Sequence, residues 1–451
     1  MTRTAPPVPE SGRRWFQTAF EDMEKRLNGG AISAVHRLRR AALAHVESAG
    51  FPTTREEEWR FTNIAPIART EFRMSFEPPD RSVTPDELSR WRFGTLHAHQ
   101  LVFVNGQFSP ALSSIRALPA GVRAGSLAEA LRRDPALVEK HLARLVKPEE
   151  NAFTALNTAF LQDGAFLFVP DGVAIPDPVH LIFFAADGTG PFAAHPRNLF
   201  LIGRDSRVSI VETYASRGGG TYLTNAVSEI VIGENAVMEH DKLQSESLSA
   251  YHVGSTHIRM GRNSALASNS IALGGAIVRN NVSVVLGAEG IECTLNGLSL
   301  STGQQLIDNH TTIDHASPHC ASHELYKAIL DGASHGVFNG KIYVRKDAQK
   351  TDAKQTNKSL LLSAGATIDT KPQLEIFADD VKCTHGATVG QLDEEQVFYL
   401  RSRGIGATEA RDLLTFAFAG DIIGRVHVVP LRAELDAMIR ARLHEGRITT
   451  E

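Results

Sequence analysis

Hydrophobic positions fall into three regimes along this chain. From Arg13 to about Ala49 they recur at helical spacing: Trp15, Phe16, Phe20, Met23 and Leu27, then Ile32, Val35, Leu38, Leu43 and Val46. Gly29-Gly30 predicts a break between two helices. Residues 55–62 predict a short helix leading into a loop. Asn105-Gly106 stands between an apolar run at 101–104 and Gln107-Phe108, the signature of a hairpin. Two further helical patterns cover Leu127–Leu145 and Glu150–Leu161, and the Pro-rich residues 1–10 predict disorder. Residues 1–160 therefore form a mostly helical N-terminal region.

After Asp163 the period changes. Short β-rich runs, such as 166–169, 181–186, 198–202 and 207–214, are separated by Gly, Asn and Asp. No amphipathic helical pattern interrupts them for roughly 200 residues, which argues against alternating βαβ units. A degenerate repeat runs through this stretch: Ile202-Gly-Arg-Asp-Ser aligns with Ile232-Gly-Glu-Asn-Ala and with Met260-Gly-Arg-Asn-Ser. Looser copies begin at Leu286, Leu300, Leu330 and Leu362, at spacings of 30, 28, 26, 14, 30 and 32 residues. Strands and tight turns at a near-constant period predict a solenoid with one unit per coil. The half-period of 14 fits two strands per coil. Residues 161–390 therefore read as a parallel β-helix, giving a mainly β fold.

Helical periodicity returns at Leu392. Asp393 and Gln396 are spaced as a capping box ahead of Val397, Phe398 and Leu400, and Gly404 and Gly406 end that helix. Thr408 is placed to cap a second helix, residues 409–423, with Ala410, Leu413, Leu414, Phe416, Ala417 and Phe418 as its apolar set. Pro430 opens a third, Leu431–Leu443, with Leu435, Met438, Ile439 and Leu443 on one face. Residues 391–451 are thus a compact helical tail.

At 451 residues the chain has enough material for a large core. Its 47 basic and 51 acidic residues give a net charge of −4, without the basic excess that a nucleic-acid groove carries. No apolar run has signal-peptide or membrane-spanning length, so a soluble cytoplasmic protein without a membrane partner is expected. Three cysteines, Cys293, Cys320 and Cys383, cannot build a disulfide framework and suit a reducing compartment.

Two groups of residues have metal-binding chemistry. The richer is His310, Asp314, His315, His319, Cys320, His323 and Glu324, with His335 and Asn339 further on. On a helix His319 and His323 would share a face, as in a zinc site. Pro318 and the surrounding β character argue instead for strand and turn, where stacked polar side chains form ladders. The alternative function this cluster offers is a self-sufficient metalloenzyme. The second group is Cys383 and His385, two residues apart. On a strand they point to one face as a pair of soft-metal ligands. Two ligands do not complete a metal site, so a partner chain would have to supply the others. Nucleotide motifs fail: the segment around Gly340-Lys341 has His335 where a P-loop needs Gly and Ile342 where it needs Ser or Thr. Asp379-Asp380 reads as a solvated turn rather than a glycosidase pair.

These residues also carry a family resemblance. Residues 379–390 and 398–404 resemble SufD of the SUF iron–sulfur cluster assembly system, as do 309–315, 337–340, Thr351-Asp352, 355–357, 370–376 and the N-terminal Glu56–Thr62. The SufB paralogues share much of this layout, but His385 two after Cys383 favours SufD. The resemblance implies a right-handed parallel β-helix flanked by helical regions. It implies a non-catalytic scaffold that pairs with SufB through the β-helix edge and binds the SufC ATPase through the C-terminal helices. His385, and with less weight Cys383, would bind a nascent, transient iron–sulfur cluster shared with SufB, none being held tightly by the isolated chain. An open β-helix edge also makes a homodimer possible in isolation.

Overall fold

The computed structural model describes residues 15–26, 33–74, 76, 83–186 and 190–445. The predicted break at Gly29-Gly30 and the Pro-rich residues 1–10 lie outside them. The early strands are β1 (Arg73–Met74), β2 (His99–Val104), β3 (Gln107–Phe108), β4 (Arg123–Ser126), β5 (Ala165–Val169), β6 (Val179–Ala185) and β7 (Phe192–Ala194). Then follow β8 (Arg197–Ile202), β9 (Arg207–Ser216), β10 (Tyr222–Ile232), β11 (Val237–Ser245), β12 (Tyr251–Met260), β13 (Ala265–Ala272) and β14 (Ile277–Leu286). The last are β15 (Glu292–Ser301), β16 (Leu306–His315), β17 (Ala321–Leu330), β18 (His335–Val344), β19 (Asp352–Leu361), β20 (Thr367–Ile376) and β21 (Lys382–Gly390).

From β8 onward these strands alternate strictly between two sheets. One runs β20-β18-β16-β14-β12-β10-β8-β5-β4 and the other β21-β19-β17-β15-β13-β11-β9-β6-β2-β3. Neighbours from β8 to β21 are parallel and in register along their lengths. This is a parallel β-solenoid with two strands per coil, as the repeat implied. The repeat marks its corners. Gly203, Gly233 and Gly261 open the turns from the first sheet to the second, and Asp205, Asn235 and Asn263 follow with φ of 54°, 56° and 53°. Asn and Asp tolerate that left-handed conformation, and their side chains then stack: Asn235 Nδ2 donates to Asp205 Oδ1 at 2.8 Å. The copies at Leu300, Leu330 and Leu362 lie at the opposite corner. The spacing of 14 therefore marks a change of corner, half a coil on.

Inward residues alternate with outward ones and stack into the lumen. Much of it is apolar, including Ile210, Met238, Leu266, Cys293 and Tyr326. Midway it turns polar. His252 Nδ1 lies 2.7 Å from Glu246, and its Nε2 lies 3.0 Å from Lys242 Nζ. The lysine has only protons to offer, so Nε2 accepts and the imidazole is neutral. Burial, followed by the Lys242 charge, holds the His252 pKa below its usual value. Each buried charge here has a partner, as the cost of burying charge requires.

The helices are α1 (Trp15–Arg26), α2 (Ala34–Ala49), α3 (Ala65–Arg69), α4 (Leu127–Arg133), α5 (Pro135–His141), α6 (Ala152–Ala159), α7 (Glu394–Ser402), α8 (Ala407–Ile423) and α9 (Val429–Glu445). The single helix expected over 127–145 is two, because Asp134 leaves the helix and caps Leu137 while Pro135 starts α5. The first 160 residues also contribute strand. The predicted hairpin forms, with Phe103 opposite Phe108, and β2 adds a parallel rung beside β6. At the C-terminus Asp393 caps α7 through Glu395 N rather than through a box with Gln396. Gly406, not Thr408, caps α8, and the Glu409 carboxylate returns to Gly406 N at 3.2 Å. The α8 face that packs is Ala410, Thr415, Ala419, Ile422 and Ile423, while Leu413 is exposed. As predicted, α9 buries Leu435, Met438 and Ile439. This tail lies on the outer face of the second sheet, where Ala419, Ile422, Leu431 and Leu435 join one cluster with Ile271, Leu298 and Ile329.

Candidate functional site

Among the described residues nothing pairs with the outer edge of the solenoid's last rung, β20 and β21. Each has one sheet neighbour, β18 and β19 respectively. The second edge of each strand therefore offers unpaired backbone N–H and C=O groups. Exposed apolar side chains line this rung: Ile376 at 38%, Phe377 at 57% and Val389 at 47% exposure. An unpaired parallel edge with apolar side chains is a template for adding another strand.

Cys383 and His385 both lie on β21. Cys383 stands in register with Ala353 and His385 with Gln355, two buried, lumen-facing residues of β19. Both side chains thus sit on the inward row of the last rung, one pleat apart. Cys383 is half-buried against Ile342, Val344, Ala348, Ala353 and Ala378. That burial, aided by the Asp352 charge, raises its thiol pKa. The sulfur is therefore held as a thiol until a cation or metal arrives to favour the thiolate. His385 is exposed at the mouth of the lumen.

Below His385 the same row continues through Gln355 to Glu324. Gln355 Nε2 donates to Glu324 Oε2 at 2.7 Å, and both side chains are buried. Burial raises the Glu324 pKa to about 7. Gln355 was visible in the sequence, but its place beneath His385 depends on a register between residues 30 apart that no local pattern specifies.

The richer His/Cys cluster is dispersed. His310 lies on the outer face of β16, between Asp308 at 3.0 Å and Glu58 at 3.3 Å. His315 is buried, its Nε2 2.8 Å from Ser322 Oγ. His319 occupies a corner at φ 57°, Cys320 is buried with its sulfur 3.1 Å from the Ala288 carbonyl, and His323 faces solvent on β17. Residues adjacent in sequence point alternately in and out of a β-solenoid, so proximity along the chain does not make a site. Among the described residues no three His, Cys, Asp or Glu side chains are grouped to hold a metal ion. The cluster that suggested a self-contained metalloenzyme is therefore not gathered into one site. Nor, among the described residues, is any helix long and apolar enough to cross a membrane.

Comparison with known proteins places this solenoid. A family model for the SUF system FeS cluster assembly SufBD core domain matches residues 183–418, and one for the SufBD protein N-terminal region matches residues 11–181. The chain belongs to the SufBD family. An iron–sulfur cluster assembly SufBD family protein of Synechocystis sp. is 33% identical over 92% of this chain and 93% of its own length. The iron–sulfur cluster assembly protein SufD of Escherichia coli is 32% identical over 88% of this chain and 90% of its own. That of Bacillus subtilis is 26% identical, over 90% and 93%. The SufBD core match spans the strands that build most of the solenoid, the open rung and most of α8.

Proposed function

We propose that this chain is a non-catalytic scaffold subunit of a SUF iron–sulfur cluster assembly complex. Its terminal rung, β20 and β21, pairs with a SufB-type subunit. His385, with Cys383 beside it, supplies this chain's share of the ligands to a nascent cluster, and the partner supplies the others. The observation that carries this reading is the last rung, its outer edge unpaired among the described residues, with a thiol and an imidazole on one inward row. Two ligands are half of a four-coordinate site, and an unpaired sheet edge is where another chain brings the rest. The cluster is cargo, built and passed on. A thiol held protonated by burial and an exposed imidazole form a resting site that needs both iron and a partner to become a ligand set.

The tail is the surface for the SufC ATPase. Phe398 on α7 is 70% exposed, Tyr399 58% and Leu413 on α8 43%. Large apolar side chains left out of the core on consecutive helices mark a contact surface. Nucleotide-driven movement of the ATPase would reach the open rung through α8, which packs on β15 and β17. In isolation the same edge is free to pair with a second copy of this chain.

The test is cluster reconstitution on the complex assembled from this chain, its SufB partner and the ATPase. His385→Ala is expected to form the complex yet lose most of the bound cluster, while Thr384→Ala, on the outward row, retains it. Full cluster content in His385→Ala would overturn the ligand role.

A further inference from the structure

A second concave feature lies on the outer face of the second sheet, on the side away from the lumen. It is a cleft of about 380 Å³ between β15, β17 and β19 and the end of α8, lined by Asn296, His323, Leu325, Lys354, Thr356, Lys358, Asp421 and Arg425, with Glu324 at its base. Strand alternation places Lys354, Thr356 and Lys358 on one outward row. The two lysines bracket the floor, about 13 Å apart along the strand. Neither ammonium group has an ion pair or hydrogen bond among the described residues, and both are exposed. Arg425 enters from the opposite wall, its Nη1 3.5 Å from Asn296 Oδ1.

The carboxylates at the cleft leave the two lysines without a counter-charge. Asp421 is shared, 2.8 Å from Lys327 Nζ and 3.5 Å from Arg425 Nη2. Glu324 turns its carboxyl into the lumen toward Gln355. Three cationic side chains and His323 thus surround a concave volume in a chain whose net charge is −4. Lys354 and Lys358 have no carboxylate partner among the described residues, and like charges on one face repel and cost stability, which a bound anion would repay. The volume lies within the range of small-molecule sites.

We propose that this cleft is an anion site for the phosphates of a small oligophosphate-bearing molecule. A di- or triphosphate offers several anionic groups to these several cations, where a single carboxylate or monophosphate offers one. The arginine offers a planar fork of donors and the lysines mobile point charges, the pair of chemistries suited to phosphate oxygens. The basic area is one local, open cleft and not an extended stripe, which separates it from a nucleic-acid surface. Asn296 and Thr356 supply neutral polar groups on the floor, and Leu325 an apolar one. The site is separate from the open rung, so it stands or falls independently of His385.

Titration calorimetry on the full chain at 0.15 M salt tests this, with inorganic pyrophosphate and ADP as probes. Pyrophosphate is expected to bind with a Kd below about 1 mM. The K354Q/K358Q double variant should bind at least ten-fold more weakly, while Lys140→Gln, an exposed lysine on α5, should stay within two-fold of wild type. ADP binding more tightly than pyrophosphate would extend the site to a nucleoside over Leu325, and equal affinities would confine it to the phosphates. The proposal is overturned if pyrophosphate does not bind, if Lys140→Gln weakens binding as much as the double variant, or if a hexaglutamate peptide binds better than either probe, which would make the cleft a protein-docking surface. Both lysines are exposed, so their replacement leaves the fold intact.

Discussion

Glu324 gives the sharpest quantitative test of the lumen, because its environment changes its protonation without a compensating charge. The carboxyl is buried on the inward row between Leu295 and Gln355 of the neighbouring coils and accepts one hydrogen bond from Gln355. Burial raises its pKa from an ordinary 4.5 to about 7. In the unfolded chain the group ionises near 4.5, whereas in the folded chain it holds its proton until about pH 7. Between those values the native state binds more protons, so stability falls as pH rises. The loss begins above pH 4.5, proceeds through the window and is complete above about pH 7. Each pH unit is worth about 1.4 kcal/mol, so the whole shift amounts to roughly 3 kcal/mol. Glu324→Gln keeps the shape and the acceptor for Gln355 but removes the titration. Urea unfolding of both proteins at pH 5 and pH 8 should show the variant gaining about 2.5 kcal/mol relative to wild type, since pH 5 already lies above the start of the window. Parallel pH dependences would refute the placement of an uncompensated carboxyl in the lumen.

Other consequences follow from named contacts. Glu229 is buried with Arg197 at 2.6 Å and accepts from the backbone N–H groups of Ala143, Arg144 and Leu145, tying the N-terminal region to the solenoid. Glu229→Ala leaves the guanidinium uncompensated and should cost ~3–5 kcal/mol in chemical denaturation, with Glu229→Gln losing less. Gly297 faces Tyr326 so closely that an added Cβ would lie 2.2 Å from the ring. Gly297→Ala should therefore lower stability by ~1–3 kcal/mol, whereas Gly386→Ala on the open rung, with nothing within 4 Å, should change it little. Val389→Lys puts a charge on the free edge and should weaken pairing with a SufB-type subunit at least ten-fold in sedimentation velocity, leaving the isolated fold unchanged. Phe398→Ala with Tyr399→Ala should abolish capture of the ATPase while cluster-site residues stay in place. Deleting residues 391–451 would be a poorer experiment, because the tail covers Ile271, Leu298 and Ile329.

The coils were legible because their corners use residues with backbone chemistry of their own. Gly followed by Asp or Asn at a period near 30 is a demand for a left-handed turn, and Gly203–Asp205, Gly233–Asn235 and Gly261–Asn263 meet it at one corner. The strand assignment of Cys383 and His385 followed from the same texture, and with it their shared face. What lay beyond reach depends on long-range register. The pairing of Gln355 beneath His385, the dispersal of His310 through His323 over two sheet faces and a corner, and the convergence of Lys354, Lys358 and Arg425 all require knowing which coil lies on which. The hairpin at Asn105-Gly106 was local and visible, but the parallel docking of β2 on β6 was not. The α8 face shows a further limit. A helix that is apolar nearly all round does not declare which side packs, and Leu413 fell on the exposed side.

The claim at the centre of this account is that a nitrogen from His385 binds the cluster during assembly. Pulsed electron paramagnetic resonance of the reduced cluster tests it directly, on complex in which only this chain carries ¹⁵N-histidine. The account predicts a ¹⁵N hyperfine coupling that is present in wild type and absent in His385→Ala. A fully formed cluster with no ¹⁵N coupling in the wild-type complex would contradict it.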